Sequence, residues 1–151
     1  MLLPVPSGGP GIGVGAVINA WTFEPADGVP PCVAPFSHAT ATGPTLYVTG
    51  QMPTLVDGTL VGDGIVEQTD RVLHNLARVL ELLGGELGDI VSARAYLTDW
   101  DEYAEFNAAY ARWFPERLPS RTCVGVAGLA AGARVEIDCV AWRADGWGVA
   151  G

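Results

Sequence analysis

The spacing of apolar residues changes several times along the chain, and each change marks an element. From Gly64 onward, Ile65, Val72, Leu76, Val79, Leu80 and Leu83 recur at helical spacing. Asp63 is read as the N-cap, and Gly84-Gly85 supplies the stop. Ile90 to Thr98 alternates instead, with Val91, Ala93, Ala95 and Leu97 on one face and Ser92, Arg94, Tyr96 and Thr98 on the other, which predicts a strand. A second helix is expected from Asp101 to Phe114, with an aromatic stripe of Tyr103, Phe106, Tyr110, Trp113 and Phe114 ended by Pro115. Ahead of these, Ala16 to Phe23 reads as a first strand and Pro25 to Pro35 as loop. Thr45 to Thr49 is a short β-rich run, and Asp57-Gly58 marks a turn. Arg121–Val126 and Val135–Trp142 read as closing strands joined by a linker over 127–134.

The resulting order, β-β-α-β-α-β-β, predicts an α+β fold whose two helices pack on one face of a sheet. The opposite face carries Tyr96, Val124, Val140 and Trp142. It is too apolar to stand in water, so other copies of the chain are expected to cover it. Residues 1–15 are rich in Gly and Pro and read as a flexible leader, 16–143 as the folded domain, and 144–151 as a Gly-rich tail expected to fray. Gly11-Ile12-Gly13-Val14-Gly15 lacks the GxGxxG spacing and no strand precedes it, so it is not read as a dinucleotide loop.

Composition narrows the function classes. Of 151 residues, 49% are hydrophobic and 17% charged, which suits a single globular domain. Eight basic against 17 acidic residues give a net charge of −9, and there is no Lys/Arg run; nucleic-acid binding is disfavoured. Cys32, Cys123 and Cys139, with His38 and His74 as the only histidines, fit no metal-ligand spacing. The odd cysteine count and the absence of a secretory signature point to a reducing cytosol. No apolar run is long enough to span a membrane.

The candidate chemistry lies in the last two strands. Arg121 follows Pro119-Ser120, and Glu136 sits between Val135 and Ile137. A guanidinium in an apolar strand needs an anionic partner, because burying it unpaired is costly. If Glu136 is that partner, the two form a structural ion pair. If a substrate carboxylate is, Arg121 is a bidentate clamp and Glu136 is free for acid–base work. Strand spacing leaves both open. Cys123 alternates onto the face of Arg121, with no histidine near in sequence to activate it. Asn107 lies on the ridge of the second helix with Tyr103, Tyr110 and Phe114, where a buried amide must find partners.

Several ordered segments carry a resemblance to a known family. They are Pro35-Phe36-Ser37-His38-Ala39, Tyr47-Val48-Thr49-Gly50-Gln51-Met52-Pro53, and Gln68-Thr69 with Asn75-Leu76. Asp89-Ile90-Val91, Tyr96-Leu97-Thr98-Asp99, Asn107-Ala108-Ala109-Tyr110, Pro119-Ser120-Arg121-Thr122-Cys123-Val124 and Val135-Glu136-Ile137 complete the set. Together they resemble the Rid family (reactive intermediate deaminases, also called the YjgF family) over roughly Pro35 to Trp142. The resemblance implies a chorismate-mutase-like fold assembled as a homotrimer with clefts between subunits. It also implies hydrolysis of reactive 2-enamines or 2-imines to 2-keto acids and ammonia, without metal or organic cofactor. By the same resemblance Arg121 would bind the substrate carboxylate and Glu136 would position or activate water. Cys123 would line the pocket, and Thr49, Gln51 and Asn107 would shape or support it. Phe36 stands where the family commonly has tyrosine, which removes a hydroxyl from the expected site. Thr49 replaces the usual serine and Ser120 a common alanine. A pathway-specific relative acting on or binding a larger carboxylate is the alternative reading.

Overall fold

The structure, a computed structural model, describes residues 17–151. The leader read at 1–15, and Ala16, lie outside the described residues. The elements are β1 (Ile18–Trp21), β2 (Ala39–Thr42), β3 (Thr45–Gln51), α1 (Ile65–Leu82), β4 (Ile90–Leu97), α2 (Tyr103–Arg112), β5 (Ser120–Gly125) and β6 (Val135–Trp142). They form one six-stranded sheet in the order β1-β2-β3-β6-β4-β5. All neighbours are antiparallel except β4 and β5, which run parallel at one edge.

Strand β6 shows how the layers arise. Val135, Ile137, Cys139 and Ala141 are buried, whereas Glu136, Asp138 and Val140 are half-buried and Trp142 is exposed. Period-two alternation puts one set on a dry face and the other on an open face. The apolar stripe of α1 is the counterpart of the dry face: Ile65, Val72, Leu76, Val79, Leu80 and Leu83 are all buried. Phe106 and Tyr110 do the same for α2, which ends at Arg112 and not at Phe114; the Phe114 ring, just past its end, lies 4.8 Å from that of Tyr110.

The differences from the sequence-based expectation have local causes. Strand β2 falls in a stretch where no element is predicted, because Ala39-Thr40-Ala41-Thr42 carries its alternation in small residues. Ala39 and Ala41 are nevertheless buried. It pairs with β3 through a two-residue hairpin, and Gly43 takes the positive φ of 55° that such a tight turn requires. Strand β3 runs two residues past Thr49, and β1 is shorter than the span read at 16–23. The N-cap of α1 is Gly64 with no side-chain cap, not Asp63; the Asp63 carbonyl instead accepts from Arg134 Nε. Val91 is exposed, not on the apolar face that the alternation predicts. An irregularity between Ile90 and Ser92 shifts the phase, so Ile90 takes the buried position. Helix α2 starts at Tyr103, after a 3-10 turn at Trp100–Glu102 capped by the Asp99 side chain, which accepts from Asp101 N at 2.9 Å.

The C-terminal tail, read as frayed, is held against the domain. Gly148 N donates to Leu83 O and Ala150 N to Leu82 O, satisfying carbonyls left over at the end of α1. Trp147 Nε1 donates to Pro44 O at 3.0 Å, and the Arg143 guanidinium lies 5.5 Å from the Trp147 ring centroid. A Cβ at Gly85 would overlap that ring. Gly85→Ala is therefore expected to lower unfolding stability by about 1–3 kcal/mol, seen as a fall in urea midpoint at unchanged m-value. An unchanged midpoint would show that the tail contributes nothing to the fold.

Candidate active site

The sequence-selected residues fall into two groups. The first surrounds Arg121. Strand β5 pairs with β4 so that Arg121 lies beside Ala93 and Cys123 beside Ala95, both on the dry face under the helices. Arg121 is half-buried, and its Nη2 donates to Asn107 Oδ1 at 2.7 Å and to the Tyr103 hydroxyl at 3.3 Å. Its guanidinium also lies 5.1 Å from the Phe106 ring centroid and 4.8 Å from that of Tyr110. The aromatic stripe of α2 is thus both core and cradle. Asn107 finds its partner here, fixing the guanidinium on a helix.

These partners are neutral. Among the described residues, no carboxylate lies within ion-pair distance of Arg121, whereas Arg94, Arg112 and Arg134 each have one. The ion pair between Arg121 and Glu136 is ruled out by the sheet itself. Glu136 pairs with Tyr96 on the open face, and β4 stands between β6 and β5. Cys123 packs at the edge of the core, where burial pushes its thiol pKa up and Arg121 partly offsets this. Its thiol is neutral, not a poised nucleophile.

The second group gathers at the end of β3. The register with β6 slips between Val48 and Gln51, so Thr49 and Gly50 bulge outward. A Cβ at Gly50 would collide with the Glu136 carboxylate, so the glycine lets that side chain lie against the backbone. Burial first, and then the neighbouring Asp138, hold the Glu136 carboxyl above its ordinary 4.5. Asp138 is itself fixed by Arg94 Nε at 2.8 Å and by the Tyr96 hydroxyl at 3.0 Å.

Thr49 and Gly50 form a ridge between two hollows. One, of about 360 Å³, runs over the open face past Tyr47, Arg94 and Asp138. The other, of about 140 Å³, is walled by Pro30, Phe36, Gln51, Met52 and Ala131. Phe36 is 44% exposed at its mouth. Ala131 holds a left-handed φ of 58°, the one non-glycine residue to do so among the described residues. Such backbone costs about 1–3 kcal/mol and concentrates at functional sites.

Sequence reasoning missed the residues that shape this wall. His38 is buried, accepts from Phe23 N at 3.0 Å through Nδ1, and meets Pro30 O at 2.7 Å through Nε2. Its own carbonyl accepts from Thr49 N. It ties the proline loop to β3, with Cys32 Sγ 3.2 Å from Nδ1. Asn75 Nδ2, fully buried on α1, donates to Met52 O and Thr54 O at 3.0 and 2.9 Å. The hydrophobic pattern marks its neighbour Leu76 but gives an amide in the core no role. Among the described residues, no group of three or more His, Cys, Asp or Glu is placed to hold a metal, and no helix is long and apolar enough to cross a membrane.

The two groups do not meet within one chain. β5 and β3 are three strand spacings apart, about 14 Å. Arg121 faces the helices, while Glu136 faces away from them.

Glu136 gives a signed test. The folded chain holds its proton more tightly than the unfolded chain, so its contribution is full below pH 4.5 and is lost as pH rises through the raised value. In urea titrations from pH 4 to 8, Glu136→Gln is expected to remove part of that decline. Parallel curves for both proteins would refute the raised carboxyl.

Comparison with known proteins places the chain in a family. The profile of the family described as endoribonuclease L-PSP matches residues 28–143. The yeast protein HMF1 (Saccharomyces cerevisiae) is 33% identical over 119 residues, covering 79% of this chain and 92% of that protein. The 3-aminoacrylate deaminase RutC of Acinetobacter baylyi is 36% identical over 116 residues, covering 76% and 92%. Among solved structures, the Rid protein YyfA of Yersinia pestis superposes with a TM-score of 0.78 at 31% identity, covering 84% of this chain and all of that one. The chain belongs to the endoribonuclease L-PSP family, the Rid (YjgF/RutC) proteins.

Proposed function

We propose that the chain is a hydrolytic deaminase that converts 2-imino and 2-enamino acids to 2-keto acids and ammonia, at a site completed between copies in a homotrimer. The observation that carries this reading is the half-buried Arg121 guanidinium, aimed by Asn107 and without a carboxylate partner among the described residues. It is a rigid cation in need of an anion, and the small carboxylate of an imino acid supplies one. The separation of Arg121 from Glu136 supports the oligomer, because a neighbouring copy must bring the second group. The exposed Tyr47, Val124 and Trp142 on the open face give it an apolar surface to use.

The chemistry balances with these groups and water. A protonated 2-imine is already electrophilic at C2. Water adds there while Glu136 takes its proton, forming the C–O bond and moving the C=N electron pair onto nitrogen. Glu136 returns the proton to that nitrogen, the C–N bond breaks, and the hydroxyl proton leaves with ammonia as ammonium. An enamine first takes a proton at carbon. A carboxyl whose pKa lies above the ordinary range exchanges protons in both directions more readily than a fully solvated one. Cys123 and Thr49 line the path, and Gln51 supports it through its bond to Thr49 O at 3.2 Å.

The deaminase named among the relatives supports this reading at 36% identity. The family description names an endoribonuclease, but a net charge of −9 repels a phosphate backbone. His38, with both ring nitrogens engaged, and the exposed His74 do not form a general-base pair.

The test generates 2-iminopropanoate in situ with an amino-acid oxidase and follows its decay. Arg121→Ala is expected to lower kcat/KM about 100-fold or more, the scale of losing a buried charge-assisted contact. Glu136→Gln should lower kcat by a similar factor. The wild-type rate should rise with pH through the raised Glu136 value, and Asp138→Asn should move that limb to lower pH. Wild type that leaves imine decay unaccelerated overturns the proposal. A stable monomer in sedimentation overturns the shared site.

A further inference from the structure

The 140 Å³ hollow beside Thr49 and Gly50 is not needed to hold a carboxylate or a water. Its walls are Pro30, Val33, Phe36, Met52, Ala130 and Ala131, with no charged side chain among the lining residues. The polar groups that border it are largely committed elsewhere. His38 is engaged by Phe23 N and Pro30 O, and Gln51 Nε2 donates to Thr49 O. Thr54 O accepts from Asn75 and from Arg71. Only the Thr49 and Thr54 hydroxyls and part of the Gln51 amide remain to meet a polar substrate group, which would exchange full hydration for few partners. An apolar group would gain by entering.

The size of the hollow sharpens this. An apolar cavity of about 150 Å³ accepts a benzene ring. A methyl group would leave most of this hollow unfilled, whereas a branched alkyl or phenyl group would fill it. Phe36 stands at the mouth, so the rim is apolar as well. The wall is also held rigidly. His38 fastens the proline loop to β3, Asn75 fastens Met52 and Thr54 to α1, and Ala131 keeps its left-handed backbone on the opposite side. A preformed apolar hollow bordered by Gly50, against which the Glu136 carboxylate lies, selects by shape.

We infer that this hollow is the substrate side-chain pocket, and that it selects 2-imino acids with a branched-chain or aromatic side chain over those with a methyl or ethyl group. The inference rests on the deaminase reading of the same site. Phe36 and Val33 are its specificity-determining residues: Phe36 supplies the apolar rim, and the 84% exposed Val33 sets the width of the entrance.

Binding and turnover test the two readings separately. Calorimetry with full-length protein would compare pyruvate, 4-methyl-2-oxopentanoate and phenylpyruvate, the keto acids corresponding to small, branched and aromatic imines. The branched and aromatic acids are expected to bind at least about tenfold more tightly than pyruvate, since even one methylene in an apolar pocket can be worth that much. Val33→Trp, at an exposed position that spares the core, should collapse the ratio toward unity. Equal affinities, no binding by any of the acids, or an unchanged ratio in Val33→Trp would overturn the pocket. Imine decay is then followed with alanine-, leucine- and phenylalanine-derived imines. Failure to accelerate any imine, with the binding preference intact, would sink the deaminase reading and leave the pocket standing. Acceleration of all three imines with equal kcat/KM would sink the selectivity and leave the deaminase reading standing.

Discussion

A sheet with only one dry face governs this molecule. Once Val135, Ile137, Cys139 and Ala141 are committed to the helices, the pleat sends Glu136, Asp138, Val140 and Trp142 to the other side. A slip of one residue would exchange the two sets and bury two carboxylates. The register of the central strand therefore fixes which side of the sheet each chemical group serves, and both the layout of the site and the unpaired state of Arg121 follow from it.

The helices do more than cover the dry face. Helix α1 buries Gln68, Thr69 and Asn75 along with its leucines and valines. Gln68 accepts from Arg134 N and donates to Gly62 O, and Asn75 reaches Met52 and Thr54. Buried amides are costly unless satisfied; the Gln68 amide and the Asn75 Nδ2 group are satisfied by loop backbone that has no ladder of its own, while Asn75 Oδ1 finds no partner among the described residues. Polar residues in the core thus hold irregular chain in place beside the candidate site. Helix α2 does the equivalent for one side chain, using Asn107 and three aromatic rings to aim Arg121.

Much of this was legible in the sequence wherever the signal was periodic. The stripe of α1, the aromatic ridge of α2 and the alternation of β6 each repeat one physical rule over many residues. Arg121 and Glu136 stood out because charge interrupts an apolar run. What stayed hidden depended on single irregularities. Strand β2 is written in alanine and threonine, and Val91 changes face through one slipped pair. His38 acquires its role only when the proline loop folds back over it, a contact across the chain that no local spacing encodes. The placement of Arg121 and Glu136 on opposite faces follows from strand order, which the residue pattern of each strand does not contain.

Gly50 has a consequence of its own. The Glu136 carboxylate lies where a side chain at Gly50 would be, so the charge and its position are encoded by different residues. Alanine at Gly50 would leave every ionisable group of the chain in the sequence and yet push the carboxylate off its seat. Removing the charge and displacing the charge are therefore separable operations in this fold. An inventory of the ionisable residues of such a chain would therefore not register the displacement.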